Sequence, residues 1–153
     1  VQAIGQIVVK HRRDAKGRRR AMTIPDHIDV IGEMAQGGQM RLSVSTVTGH
    51  LPTVDIYICG TKGTIRLSEV NGKIILETGA LNAKPLKTIR IPKNKQGSWR
   101  VEEEFVNAIR GIETVTHTDL ETGVQYMEWT DAVATALRTG RTVHLPLEAI
   151  VQS

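Results

Sequence analysis

Residues 26–34 alternate in character, with Ile28, Val30, Gly32 and Met34 in one phase and His27, Asp29, Ile31 and Glu33 in the other. A period of two sends successive side chains to opposite faces of a strand, so this stretch reads as half-buried β-structure. Gln36-Gly37-Gly38-Gln39 supplies the positive φ angles of a tight hairpin turn. The return strand sets Met40, Leu42, Val44 and Thr46 against Arg41, Ser43, Ser45 and Val47. One phase is apolar and the other largely polar, the pattern of a sheet covered on one side. Further strands are predicted over 54–59 and 64–68, around Gly60-Thr61-Lys62-Gly63, and over 73–78 after the Asn71-Gly72 turn. A last one covers 86–91 and ends at Pro92. Connections this short join antiparallel neighbours, because a parallel crossover needs a dozen or more residues.

Beyond residue 97 the period lengthens to that of a helix. Ser98 predicts an N-cap for a helix through Arg110, with Gly111 just past its end. Val101, Phe105, Ala108 and Ile109 form one apolar stripe, and Glu102, Glu103 and Glu104 sit at the positive end of the helix dipole. Thr118-Asp119-Leu120-Glu121 predicts a capping box that opens a second helix through Tyr126, Trp129, Val133 and Leu137 to Gly140. A short strand over 143–147, interrupted at Pro146, closes the chain. The predicted fold class is α+β: an open, predominantly antiparallel β-sheet with helices packed on one face, where Trp99 and Trp129 serve as helix-to-sheet packing residues. It is read as one domain over 1–153, with the first strand and a basic loop in 1–21, the sheet in 22–92, and two helices and a closing strand in 98–147.

A chain of 153 residues with 40% hydrophobic and 24% charged content suits one globular domain and excludes a disordered or fibrous class. No apolar run approaches the roughly 18 residues of a membrane span, so no membrane partner is expected. Cys59 is the single cysteine and has no internal disulfide partner; its β pattern predicts a buried apolar role. With no signal peptide recognised, a cytoplasmic setting is expected. A first residue of Val1 suggests a piece of a longer protein.

The net charge of +4 is unevenly placed. Residues 10–20 hold seven of the 20 Lys/Arg and one of the 16 Asp/Glu, a net +6, which leaves 13 basic and 15 acidic residues, or −2, elsewhere. Asp14-Ala15-Lys16-Gly17 makes this segment a turn with basic flanks. No aromatic side chain interleaves with the arginines to stack bases, so a solvated loop is favoured over a nucleic-acid arm.

Few residues offer catalytic chemistry. No Gly-x-Gly-x-x-Gly, Walker loop or Gly-x-Ser-x-Gly is present, and Gly60 and Gly63 read as turn glycines. His11, His27, His50, His117 and His144 are scattered, and no Cys/His cluster has zinc-site spacing. Asp119 and Glu121 look like an acid pair, but helix capping accounts for them.

Four stretches in order carry a family likeness: PDHIDVIGEMAQGGQMRLSVST (25–46), DIYICGTKGTIRLS (55–68), SWRVEEEFVNAIRG (98–111) and THTDLETGVQYMEWTDAVATALRTGRTVHLPL (116–147). Together they make residues 22–147 resemble the C-terminal domain of the Gfo/Idh/MocA oxidoreductases, the glucose–fructose oxidoreductase and inositol dehydrogenase family. The resemblance implies a parent that is an NAD(P)-dependent dehydrogenase of a sugar, sugar acid or cyclitol. Its cofactor, NAD or NADP, would sit on an N-terminal Rossmann domain rather than on this chain. The domain resembled here helps close the site for a polyol substrate and forms homo-oligomers through the exposed sheet face, where Ile31 and Val47 point. The family's catalytic Lys of Glu-Lys-Pro and its Asp-x-x-x-His pair are expected upstream of Val1. Lys84-Pro85 falls in an inter-strand connection, and no Asp here has a His four residues on. No catalytic, cofactor-binding or metal residue is therefore assigned, and this chain alone is predicted inactive.

Substrate contacts are expected from Thr48 and His50, which follow the return strand, and from Arg12 and Arg13, whose guanidinium forks suit a carboxylate or phosphate. Two alternatives remain at this point: a non-catalytic binding or regulatory module on the same scaffold, and a nucleic-acid-binding domain that uses residues 10–20.

Overall fold

A computed structural model describes residues 1–83, 85–116 and 119–147. The described strands are β1 (Gln2–Gln6), β2 (His11–Arg13), β3 (Arg19–Ala21), β4 (His27–Glu33), β5 (Gln39–Ser45), β6 (Asp55–Gly60), β7 (Gly63–Val70), β8 (Lys73–Ala80) and β9 (Lys87–Thr88). Two α-helices follow, α1 (Val101–Ile109) and α2 (Leu120–Thr139). All described pairings are antiparallel, and the class is α+β, as the alternation predicts. The single sheet expected over 22–92 is instead divided into a three-stranded sheet β1-β4-β5, a two-stranded ribbon β2-β3 and a four-stranded sheet β6-β7-β8-β9. The chain packs as two compact units, residues 1–48 with 100–153, and residues 49–99.

In the first unit, β1 pairs along β4 from Gln2 opposite Ile31 to Gln6 opposite His27, and β4 pairs with β5 through the Gly37-Gly38 turn. The ribbon rises from the connection between β1 and β4. Helix α2 lies against β1, and small residues set how close it comes. Ala132 and Ala136, one turn apart, are fully buried with Val30 of β4. A Cβ on Gly5 would come within 2.9 Å of the Pro25 ring and 3.0 Å of Leu137 Cδ2, so the absent side chain is what admits the helix.

Asp119 caps α2 by accepting from the Thr122 N–H at 2.8 Å, and Gly140 ends it in the left-handed conformation at φ 66°. The expected capping box paired Thr118 with Glu121, whereas the N-cap is Asp119; Thr118 lies outside the described residues. Ser98 does not cap α1, which starts at Val101 with Arg100 in the N-cap position. Arg100 reaches back over the first turn instead, donating to Glu103 Oε2 at 3.0 Å and Glu113 Oε1 at 3.1 Å. The closing strand expected over 143–147 does not form. Val143 exchanges backbone hydrogen bonds with Val1 at 2.7 and 2.9 Å, and Pro146, which has no N–H, cannot extend a ladder.

The second unit is a meander. Its register puts Ile56, Ile58, Ile65, Leu67, Ile74 and Leu76 on one face and Asp55, Tyr57, Arg66 and Glu77 on the other. Arg66 joins that polar face, donating to both Asp55 oxygens at 2.8 and 3.0 Å and to Glu77 at 3.2 Å, while lying 5.2 Å from the Tyr57 ring centroid. The Asp55 contact is the main reason the Arg66 guanidinium is held even more firmly protonated than usual. Gly63 is required where β6 turns into β7, because a methyl group there would overlap the Gly79 carbonyl oxygen. Two expectations fail in this unit. Cys59 is exposed rather than buried, and Trp99 is 80% exposed rather than packed between helix and sheet. Lys84 lies outside the described residues.

Candidate functional site

Of the expected substrate residues, Arg12, Arg13 and Thr48 belong to the first unit and His50 to the second. Arg12 and Arg13 are neighbours on β2, so they leave opposite faces of the ribbon. Arg12 Nη2 is 3.3 Å from Asp26 Oδ2 and 3.5 Å from Thr46 Oγ1, whereas Arg13 Nη1 donates to the Gly17 carbonyl at 2.8 Å. Thr48 ends the first unit, its N–H donating to Ser45 Oγ at 3.3 Å. His50 belongs to the second unit, is exposed, and has a left-handed backbone at φ 64°.

What Arg12 meets is a hub that sequence reasoning missed. The Asp26 carboxylate accepts from the Val8 N–H at 2.7 Å and the Val9 N–H at 3.0 Å, and its peptide bonds to Gln6 and Thr46. These donors, with Val8 foremost and Arg12 adding to them, hold the Asp26 carboxyl below the usual carboxylate range. Only Pro25-Asp26, a turn-like pair ahead of a strand, hinted at it.

A second polar centre lies on the open face of the three-stranded sheet. His27 Nε2 stands 3.3 Å from Asp29 Oδ2, and Asp29 is opposite Ser43. Hydrogen bonding from Ser43, then His27, lowers the Asp29 carboxyl. Ile4 and Ile31, 70% and 51% exposed, flank this pair.

The third feature is an apolar groove of about 610 Å³ formed by Val101, Phe105, Ala108 and Ile109 of α1 with Val115 and Leu120. The stripe read from the sequence is therefore present but uncovered, with Phe105, Ile109 and Leu120 at 62%, 71% and 90% exposure. Glu104 forms part of its wall and is buried, accepting from the Thr116 N–H at 3.0 Å and the Thr116 hydroxyl at 2.8 Å, with Arg100 Nη1 at 3.7 Å. Little in the sequence signalled that burial: on a helical wheel Glu104 falls beside Ala108, at the edge of the stripe of Val101, Phe105 and Ala108 rather than within it.

Residues 3–145 match the model of the Gfo/Idh/MocA C-terminal region, described as the oxidoreductase family, C-terminal alpha/beta domain. The chain belongs to the Gfo/Idh/MocA oxidoreductase family. Comparison with curated proteins gave no match. The match to this Gfo/Idh/MocA domain takes in both compact units, including the β2–β3 ribbon, which lies ahead of the four sequence stretches that carry the resemblance. No helix among the described residues is long and apolar enough to cross a membrane.

Proposed function

We propose that this domain is the C-terminal half of an NAD(P)-dependent oxidoreductase acting on a sugar, sugar acid or cyclitol. In this reading it helps close the substrate site and builds the oligomer, while an N-terminal Rossmann domain carries the cofactor. The family membership supports the reaction class, and the chemistry of the helix N-termini supports the division of labour. A dinucleotide pyrophosphate is ordinarily held at a helix N-terminus, where free N–H groups and the dipole favour negative charge. Here α1 begins with Glu102, Glu103 and Glu104, and α2 is capped by Asp119 with Glu121 in its first turn. Carboxylates at both positions repel a pyrophosphate, so the residues present do not fit the cofactor and no step of hydride transfer is assigned to them.

This chain's own contribution is binding and shape. Thr48 in the first unit and His50 in the second are both exposed, and each on its own is available to hydrogen-bond a hydroxyl group. Arg12, tied to Asp26, fixes the base of the ribbon, and Arg13 is the arginine left for an anionic group. The groove of Phe105, Ile109 and Leu120 is the docking surface for the Rossmann domain, because an uncovered apolar patch of this kind calls for a permanent neighbour. The face bearing Ile4 and Ile31 serves self-association.

Titration of the 153-residue chain with NADH in a calorimeter is expected to give no saturable heat, and a longer chain with an upstream Rossmann domain is expected to bind. Saturable binding by the short chain overturns the assignment. Sedimentation equilibrium is expected to report a dimer or larger species that Ile31→Glu dissociates. A monomeric unsubstituted chain overturns the oligomer.

A further inference from the structure

The β2–β3 ribbon separates its charges by face. Its register sets Arg12 opposite Arg20 and Arg13 opposite Arg19, with His11 opposite Ala21. Residues of even number therefore share one face and those of odd number the other. Both acids that serve the ribbon act on the even side. Asp14 receives Arg18 Nε at 3.0 Å and Arg20 Nε at 3.2 Å, and Asp26 receives Arg12. On the odd side, among the described residues, no carboxylate lies within ion-pair distance of Arg13 or Arg19. Arg13 donates to the neutral Gly17 carbonyl, and Arg19 Nη2 lies 3.1 Å from His11 Nδ1.

The hydrogen-bond pattern sharpens the contrast. Met22 donates to Lys10 across the ribbon and Asp14 donates to Arg18. Alternation along an antiparallel ladder makes Arg12/Arg20 a hydrogen-bonded pair and Arg13/Arg19 a non-hydrogen-bonded one, the closer type, with Cα atoms about 4.5 Å apart. Like charges directly opposite at that spacing repel. Each guanidinium is nonetheless anchored through one N–H, which leaves the rest of its fork available.

We propose that the odd face of this ribbon, built from Arg13 and Arg19 with His11 beside them, is a binding site for a phosphate monoester on a small molecule. A carboxylate is satisfied by a single arginine fork. A phosphate monoester carries close to two negative charges and three acceptor oxygens at neutral pH, which matches two guanidinium groups in charge and in donors. A nucleic-acid backbone fits less well. Strands of three residues are only about 10 Å long, and no aromatic side chain stands on the ribbon to stack a base. This site deepens the proposed reading of Arg13 as the arginine left for an anionic group, yet it stands on the ribbon's geometry, so the phosphate titration can succeed even where the NADH titration overturns the oxidoreductase reading.

The test is a titration of the full chain followed by the arginine side-chain N–H resonances, using glucose 6-phosphate, inorganic phosphate, acetate and a short single-stranded oligonucleotide at matched ionic strength. Saturable shifts confined to Arg13, Arg19 and His11 are expected, with glucose 6-phosphate binding roughly tenfold tighter than acetate. Arg13→Ala, Arg19→Ala and the charge-preserving pair Arg13→Lys with Arg19→Lys should each weaken binding about tenfold, because lysine keeps the charge and loses the fork. Arg18→Ala should leave binding unchanged. Non-saturable shifts, equal response to acetate, or shifts spread evenly over Arg12, Arg18 and Arg20 overturn the site. Tighter binding of the oligonucleotide with a steep salt dependence overturns the small-molecule assignment.

Discussion

The two compact units solve the same problem, an antiparallel sheet with one apolar face, in different ways. In residues 1–48 with 100–153 the sheet carries its own helix: α2 lies on β1, and Val30, Ala132 and Ala136 are sealed between them. In residues 49–99 no α-helix occurs among the described residues, and Ile56, Ile58, Ile65 and Ile74 remain 44–61% exposed on one face. The opposite face of that unit is ordered by charge, through Arg66 with Asp55, Glu77 and Tyr57. One unit is thus organised by contact between small residues and the other by an ion-pair network on a sheet whose aliphatic side is open. Backbone pairing specifies both equally well, so the difference lies in what each sheet has to lean on.

That contrast predicts unequal responses to substitution. Glu104→Ala should have the largest effect. It removes a buried carboxylate that joins α1 to Thr116 and leaves Arg100 short of a partner, a loss of roughly 3 kcal/mol. Amide exchange should accelerate through α1 and leave β6–β8 protection intact; equal acceleration in both units would abolish the distinction. Gly5→Val comes next. The added carbons meet Pro25 and Leu137, and overpacking at such a contact costs about 2 kcal/mol. The expected readout is a lower thermal midpoint with loss of protection in α2 and β1, and a neutral outcome would show that α2 has room to shift.

The smallest effect concerns acid. The Asp26 carboxyl is depressed by the Val8 and Val9 peptides and by Arg12, so its folded pKa lies below its unfolded one. Its contribution to stability is complete above the ordinary carboxylate range and is lost as pH falls through the depressed folded value. Asp26→Asn should flatten the acid response of the first unit. The second unit keeps its own acid sensitivity through Asp55, which Arg66 depresses in the same direction. Acid titrations of both proteins followed by residue-resolved exchange would separate the two.

Much of the architecture was legible because periodicity reports local geometry. The alternation from Ile28 to Val44, the Gly37-Gly38 and Asn71-Gly72 turns, and the αL residue Gly140 each express a constraint spanning a few neighbouring residues. The misreadings arise where partners are distant in sequence or missing. Val143 to Leu147 has strand composition, yet among the described residues Val143 alone finds a backbone partner, and Pro146 stops the ladder. Trp99 and Cys59 look like core residues by type, and their exposure depends on which neighbours the tertiary fold supplies. At the candidate site, adjacency on β2 suggested a joint role for Arg12 and Arg13, but strand geometry divides them between faces. The cross-strand partner Arg19 and the clip at Asp26 emerge only once the register is known.

The carboxylate of Asp26 also has a mechanical meaning. It grips the two peptides at which the chain leaves β1 while its own backbone is tied to Gln6 and Thr46. The base of the hairpin is therefore clamped like a bracket bolted to two adjoining beams. Its heading is inherited from the β1–β4–β5 platform, so residues inserted between Asp14 and Arg18 would lengthen the arm, whereas residues inserted between Gln6 and Val9 would re-aim it.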